Sequence, residues 1–300
     1  VGDSYLGLRY LSERKDALRR AQNPDGGWGY FPGKKSWLEP TIYSALVLHG
    51  DAAADRAWQL LSTWRQPDGS WRPAADVQVA HSGTALCVTM AALRGEFELP
   101  FHKGTAWLLG TEGMESTLRN RAIVHVATLI GFAPDKRDLR LKGWPWNPDT
   151  SSWVEPTAHA LVALKKAYLK IPSSSIRERV RLGEALLMDV RCQDGGWNYG
   201  NRTARGEELR SYPETTALAL LGLQGRSGLG SAIDLGSRML RETSLPLARA
   251  WLSIALRVNG VSLEIPAADA APSNDILITA LEALGHPDGN HHLLQAGAIA

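Results

Sequence analysis

Three short segments of this chain repeat one design: Gln22-Asn-Pro-Asp-Gly-Gly-Trp28, Gln66-Pro-Asp-Gly-Ser-Trp71 and Gln193-Asp-Gly-Gly-Trp197. Each follows an amphipathic helical stretch and stops it sharply, because Asp bonds its own backbone in a turn and Gly accepts positive φ. Gly26, Gly27, Gly69 and Gly195 therefore include positions that need positive φ. A buried Trp just after the turn pins the loop to a neighbouring helix, so Trp28, Trp71 and Trp197 read as structural.

A second element follows each turn: Glu39-Pro-Thr-Ile-Tyr-Ser-Ala-Leu46, Glu155-Pro-Thr-Ala-His-Ala-Leu161 and Glu214-Thr-Thr-Ala-Leu-Ala-Leu220, with a weaker relative at Gly83-Thr-Ala-Leu86. These are helix starts, since Pro suits the first turn and Ala and Leu are strong helix formers. The helices they open carry few charges, which predicts burial on most sides. The aligned threonines, Thr41, Thr84, Thr157 and Thr216, are 43, 73 and 59 residues apart. The long middle interval predicts a degraded copy, with Arg119 to Phe132 as its buried helix and the Trp107 segment as the outer partner. Further helices are expected at Leu245 to Val258 and Asp275 to Leu284, for about six hairpins at the usual length of a helical repeat.

An outer amphipathic helix alternating with a nearly apolar inner one has two solutions, an open solenoid or a closed ring. The ring needs no terminal caps. The expectation is an all-α fold, an α/α toroid of about six helical hairpins over residues 1–300 as a single domain, with parallel inner helices and an outer ring antiparallel to them.

The chain has 300 residues, 44% of them hydrophobic and 21% charged, enough for a large core. A net charge of +2 with scattered signs gives no nucleic-acid signature, and the densest basic stretch, Lys136 to Lys142, is interrupted by Asp138. Cys87 and Cys192 form no C-x-x-C pair and read as small buried residues. The sequence has no apolar run long enough for a transmembrane helix. It calls for no cofactor, and a soluble, cytoplasmic protein is expected.

The Gln-Asp-Gly-Gly-Trp turns, with the Glu-Pro-Thr helix start between them, resemble the QW repeat of squalene-hopene and oxidosqualene cyclases, within the terpenoid cyclase and protein prenyltransferase superfamily. The likeness covers most of residues 20–225. It implies the toroid and a central cavity that takes an isoprenoid or other apolar small molecule. Class II cyclases protonate an alkene or epoxide with an acid from Asp-x-Asp-Asp-Thr-Ala or Asp-Cys-Thr-Ala. The nearest match here is Trp153-Val-Glu-Pro-Thr-Ala158, which places Glu155 at the proton donor and lacks the supporting aspartates. The Asp-x-Cys zinc signature of prenyltransferases and the Gly-Cys-Gly-Glu-Gln thioester of complement domains are absent from the sequence, so no metal site is expected.

Glu155 is therefore the candidate catalytic acid. Glu39, Tyr43, His81, Trp153, His159 and Glu214 are candidate pocket residues. The three glutamates have a plainer reading, carboxylates meeting the positive ends of three helices. The histidines, with His125, also suit hydrogen-bonded core positions. Trp144, Trp146 and Trp153 flank the loop leading into the Glu155 helix and border either a pocket mouth or a packed loop. Two functions stay open: a terpenoid cyclase or isomerase, completed by a second helical lobe or partner chain if it follows the two-lobed cyclases, and a non-catalytic toroid that binds an apolar ligand or a protein. A third reading, a sugar-processing helical barrel, requires two carboxylates facing one pocket.

Overall fold

The helix starts at the glutamates open three helices that are buried almost throughout: α2 (Leu38–Val47), α7 (Val154–Tyr168) and α9 (Pro213–Gly222). Each is entered from an extended residue, Trp37, Trp153 or Tyr212, as expected where the chain turns out of a loop without a capping side chain. A fourth inner helix, α4 (Thr84–Arg94), begins at the weaker repeat. The computed structural model describes residues 2–130, 138–204, 207–263 and 271–299.

Two further inner helices, α11 (Pro246–Val258) and α12 (Ile276–Leu284), stand where the sequence places them. The six pack in the cyclic order α2, α4, α7, α9, α11, α12 and back to α2, so the chain forms a ring and not a solenoid. Outside them lie α1 (Gly2–Ala21), α3 (Ala52–Ser62), α5 (Leu99–Gly110), α8 (Ser174–Asp189) and α10 (Gly230–Glu242). Among the described residues there are five outer helices for six inner ones: α1 covers α12, and α10 packs against both α9 and α11. The architecture is the α/α toroid.

The repeat turns hold each inner helix to its outer partner by two bonds. The indole N–H groups of Trp28, Trp71 and Trp197 donate to the carbonyls of Leu18, Leu61 and Leu187, near the ends of the preceding outer helices. Their backbone N–H groups donate to the hydroxyls of Thr41, Thr84 and Thr216 on the following inner helices. All three rings are fully buried, so their polar edges need these partners. Gly26, Gly69 and Gly195 have φ of +92°, +96° and +93°. Gly27 does not, and is confined instead by close approach: a Cβ there would lie 2.6 Å from Leu60 and Ser36.

Among the described residues the long middle interval holds no extra hairpin. Trp144 donates its indole N–H to the Leu108 carbonyl of α5 and its backbone N–H to Thr157, as the other three tryptophans do. It is the fourth copy, and the added length is an insertion between α5 and Trp144. That insertion contains α6 (Leu118–Leu129), none of whose residues is buried. The expectation of a buried helix over Arg119 to Phe132 is thus corrected: its apolar residues cover no inner surface, and His125 on it is exposed. Residues 131 and 132 lie outside the described residues, as do Lys136 and Arg137 of the basic stretch. A short antiparallel pair, β1 (Trp144–Pro145) with β2 (Ser152–Trp153), closes the insertion and leads into α7.

Both cysteines are buried and free. Among the described residues no helix is long and apolar enough to cross a membrane.

Candidate active site

The N-terminal ends of three consecutive inner helices, α2, α4 and α7, border a cavity of about 200 Å³. Glu39 and Glu155 reach it from the first turns of α2 and α7, His81 from the loop before α4, and His159 from one turn further along α7. Tyr30, Trp37 and Trp146 supply aromatic walls, and Leu38 and Leu86 apolar ones. Sequence repetition placed these segments on equivalent inner helices, and ring closure turned them to one space.

Beneath the cavity, Tyr43, His159 and Trp251 pack together. The Tyr43 hydroxyl lies 2.9 Å from Nε2 of His159, and Trp251 of α11 packs edge-on against Tyr43 at 5.4 Å and tilted against His159 at 6.1 Å. Tyr43 is fully buried and forms part of this floor.

The two carboxyls titrate abnormally. Burial raises the pKa of Glu155 to about 8, helped by the charge of Glu39. Burial raises Glu39 as well, against the opposing pull of a hydrogen bond from the Tyr30 hydroxyl at 2.7 Å, with a further upward push from Asp275. Desolvation dominates because both line one largely apolar recess, where a single charge is costly and two are costlier. The helix-terminal reading is therefore incomplete: the N-termini of α2 and α7 favour the anions, and burial outweighs them. The same burial pushes His81 and His159 down to about 4, so both rings are neutral near pH 7. Tyr30 is raised above the usual phenol range by burial and by Glu39.

Of the candidates, Glu39, His81, Glu155 and His159 come together, with Tyr43 directly behind them. Glu214 and Trp153 do not line this cavity. Glu214 begins α9 on another part of the ring, so three equivalent glutamates become two facing one space and one apart from them. Trp153, 39% exposed, turns outward to pack edge-on against Tyr199. The three tryptophans of the loop thus divide: Trp144 is a repeat anchor, Trp146 lines the cavity beside His81 at 5.8 Å, and Trp153 is at the surface. Sequence reasoning missed Tyr30, Trp37 and Trp251. Tyr30 and Trp37 flank the loop between the first repeat turn and Glu39, which was the available signal. Trp251 had none, because its helix carries no repeat motif.

Among the described residues no group of three or more His, Cys, Asp or Glu is placed to hold a metal ion.

No protein-family model matches the sequence, and no curated protein matches it. Solved structures do. The type II terpene cyclase MstE from Scytonema, in its apo form, superposes with a TM-score of 0.56 at 15% identity, over 94% of this chain and 97% of that one. A variant of that enzyme in complex with its substrate, geranylgeranyl dihydroxybenzoate, gives 0.56 at 17% identity over 97% and 99%. The endo-β-1,4-glucanase CMCax from Acetobacter xylinum gives 0.57 at 13% identity over 93% and 98%. The chain shares its toroid fold with these terpene cyclases and with a glucanase, so the fold does not select the chemistry. The solved cyclase chain and this one match over nearly their whole lengths.

Proposed function

We propose that residues 1–300 act as one toroidal domain catalysing proton-initiated cyclisation or isomerisation of an isoprenoid substrate, with Glu155 as the acid. The observation that carries this reading is the Glu155 carboxyl, desolvated beside Glu39 in an aromatic-lined cavity and holding its proton at neutral pH. A carboxyl in that state donates a proton without first having to acquire one. The Glu155 O–H bond breaks, a C–H bond forms on the substrate, and the carboxylate left behind sits at the positive end of α7. The faces of Tyr30, Trp37 and Trp146 suit the carbocation by cation–π attraction. Attack by a second double bond closes a ring, and return of a proton from the final cation, directly or through water, to the Glu155 carboxylate leaves an isomer of the starting material.

A volume of about 200 Å³ is below the roughly 300–1,000 Å³ typical of whole-ligand sites. The cavity accordingly takes the reacting end of a prenyl chain, with the remainder in its mouth. The carboxyl pair would also serve glycoside hydrolysis, but a polysaccharide needs a cleft running past the pair, and an aromatic-lined cavity favours the apolar substrate.

The test is incubation with farnesol, geranylgeraniol and geranylgeranyl dihydroxybenzoate, with gas or liquid chromatography and mass spectrometry for products of unchanged mass. Glu155→Gln, checked for folding by circular dichroism, should lose at least about a hundredfold in rate. Full activity in that variant, or reducing ends released from carboxymethylcellulose by the wild type, would overturn the assignment. Ligand binding without any product would leave the non-catalytic toroid in its place.

A further inference from the structure

Hydrogen bonds fix which nitrogens of the two cavity histidines carry protons. The Gly83 backbone N–H donates to Nδ1 of His81 at 3.0 Å. Nδ1 is thus an acceptor, and the neutral ring bears its proton on Nε2. At His159, Nε2 lies 2.9 Å from the Tyr43 hydroxyl, which is fully buried and has no other hydrogen-bond partner among the described residues. Were Nε2 the donor, the Tyr43 O–H would be buried and unpaired, which is costly. Tyr43 therefore donates, and the His159 proton sits on Nδ1. That nitrogen has no hydrogen-bond partner among the described residues, and the ring lines the cavity.

The two rings thus offer the cavity they line one N–H from the loop before α4 and another from α7, and the Glu155 carboxyl lines the same cavity. Neither ring N–H has a hydrogen-bond partner among the described residues, and a donor held in a desolvated site is best satisfied by an acceptor on what enters. A pure hydrocarbon would leave both unpaired.

We propose that Nε2–H of His81 and Nδ1–H of His159 hold an acceptor oxygen of the substrate, so that this site selects oxygen-bearing isoprenoids, alcohols, carbonyls or ethers, over hydrocarbons of the same skeleton. The two residues are specificity-determining, and the inference rests on the isoprenoid reading of the cavity above.

The experiment has two arms. Long-range ¹H–¹⁵N spectra of histidine-labelled protein at pH 7 should show His81 as the Nε2–H tautomer and His159 as the Nδ1–H tautomer; the opposite tautomer at either would overturn the proposal. Calorimetric titration with three ten-carbon probes of similar skeleton, geraniol, citral and the hydrocarbon myrcene, should favour the two oxygenated ones by about tenfold or more. His81→Phe and His159→Phe should erase most of that preference, and the wild-type comparison decides the matter even if either variant fails to fold. Equal binding of all three probes, or binding of none, would overturn the inference. Equal binding with turnover still dependent on Glu155 removes only this inference. A tenfold preference with full turnover in Glu155→Gln removes only the acid role.

Discussion

The backbone N–H of Trp144 donates to the Thr157 hydroxyl at 3.0 Å across thirteen residues of sequence, and the same bond at the same spacing joins Trp28 to Thr41 and Trp71 to Thr84. The pair is the fastening between a repeat turn and its inner helix. Trp144 and Thr157 are both buried, so neither group has water to fall back on.

From this, Thr157→Val should cost about 1 to 3 kcal/mol, because the isosteric change strands the Trp144 N–H. Thr157→Ser, which keeps the hydroxyl, should cost less than about 1 kcal/mol. Urea denaturation followed by tryptophan fluorescence measures both. A larger loss in Thr157→Ser than in Thr157→Val would mean that the methyl group, and not the hydrogen bond, is what matters.

The raised carboxyls make stability depend on pH in a definite direction. Glu155 has its folded pKa raised from 4.5 to about 8, so the folded state binds the extra proton between those values. Stability contributed by that proton is complete below about 4.5 and is lost as pH rises towards 8, at about 1.4 kcal/mol for each pH unit between the two values. Glu39 shifts the same way and adds to the fall.

Glu155→Gln should accordingly gain in Tm relative to the wild type as pH rises from 5 to 8, while turnover in the wild type declines through about pH 8 as the acid ionises. Differential scanning calorimetry across that range gives the answer. Parallel Tm curves for the two proteins would show that Glu155 is not held protonated in the fold.

Gly69 and Gly195 occupy equivalent turns with nearly equal φ, yet their surroundings differ. A Cβ at Gly69 would lie 2.4 Å from the Lys103 carbonyl oxygen, whereas at Gly195 the nearest atom is the end of the Arg191 side chain at 3.3 Å. Gly195→Ala should cost roughly 1 to 2 kcal/mol for the left-handed backbone alone. Gly69→Ala should cost roughly 3 kcal/mol or more, since backbone overlap adds to the same strain. Chemical denaturation of the two variants side by side tests the difference, and equal costs would refute the packing argument.

Much of the toroid was legible because its cues are short-range. Asp-Gly turns, Trp anchors and Ala- and Leu-rich helix starts act within about fifteen residues, and they located the clear hairpins and the Glu155 helix. The fourth anchor was also in the sequence: the thirteen-residue step from Trp to Thr finds Trp144, although its turn has lost the Gln-Asp-Gly pattern. The apolar residues of α6 misled because composition reports what a helix can bury and not whether anything lies against it. What the sequence by itself determined was the repeating hairpin and the identity of its glutamates. Only the tertiary structure decided that Glu39 and Glu155, and not Glu214, share a cavity, that Trp146 faces it while Trp153 turns to solvent, and that the cavity histidines present N–H groups. Those outcomes depend on the closure of α12 against α2 and of α4 against α7, which brings together side chains more than a hundred residues apart, such as Tyr43 and His159. No local preference encodes an encounter over that separation; it follows from how the six inner helices fill one ring.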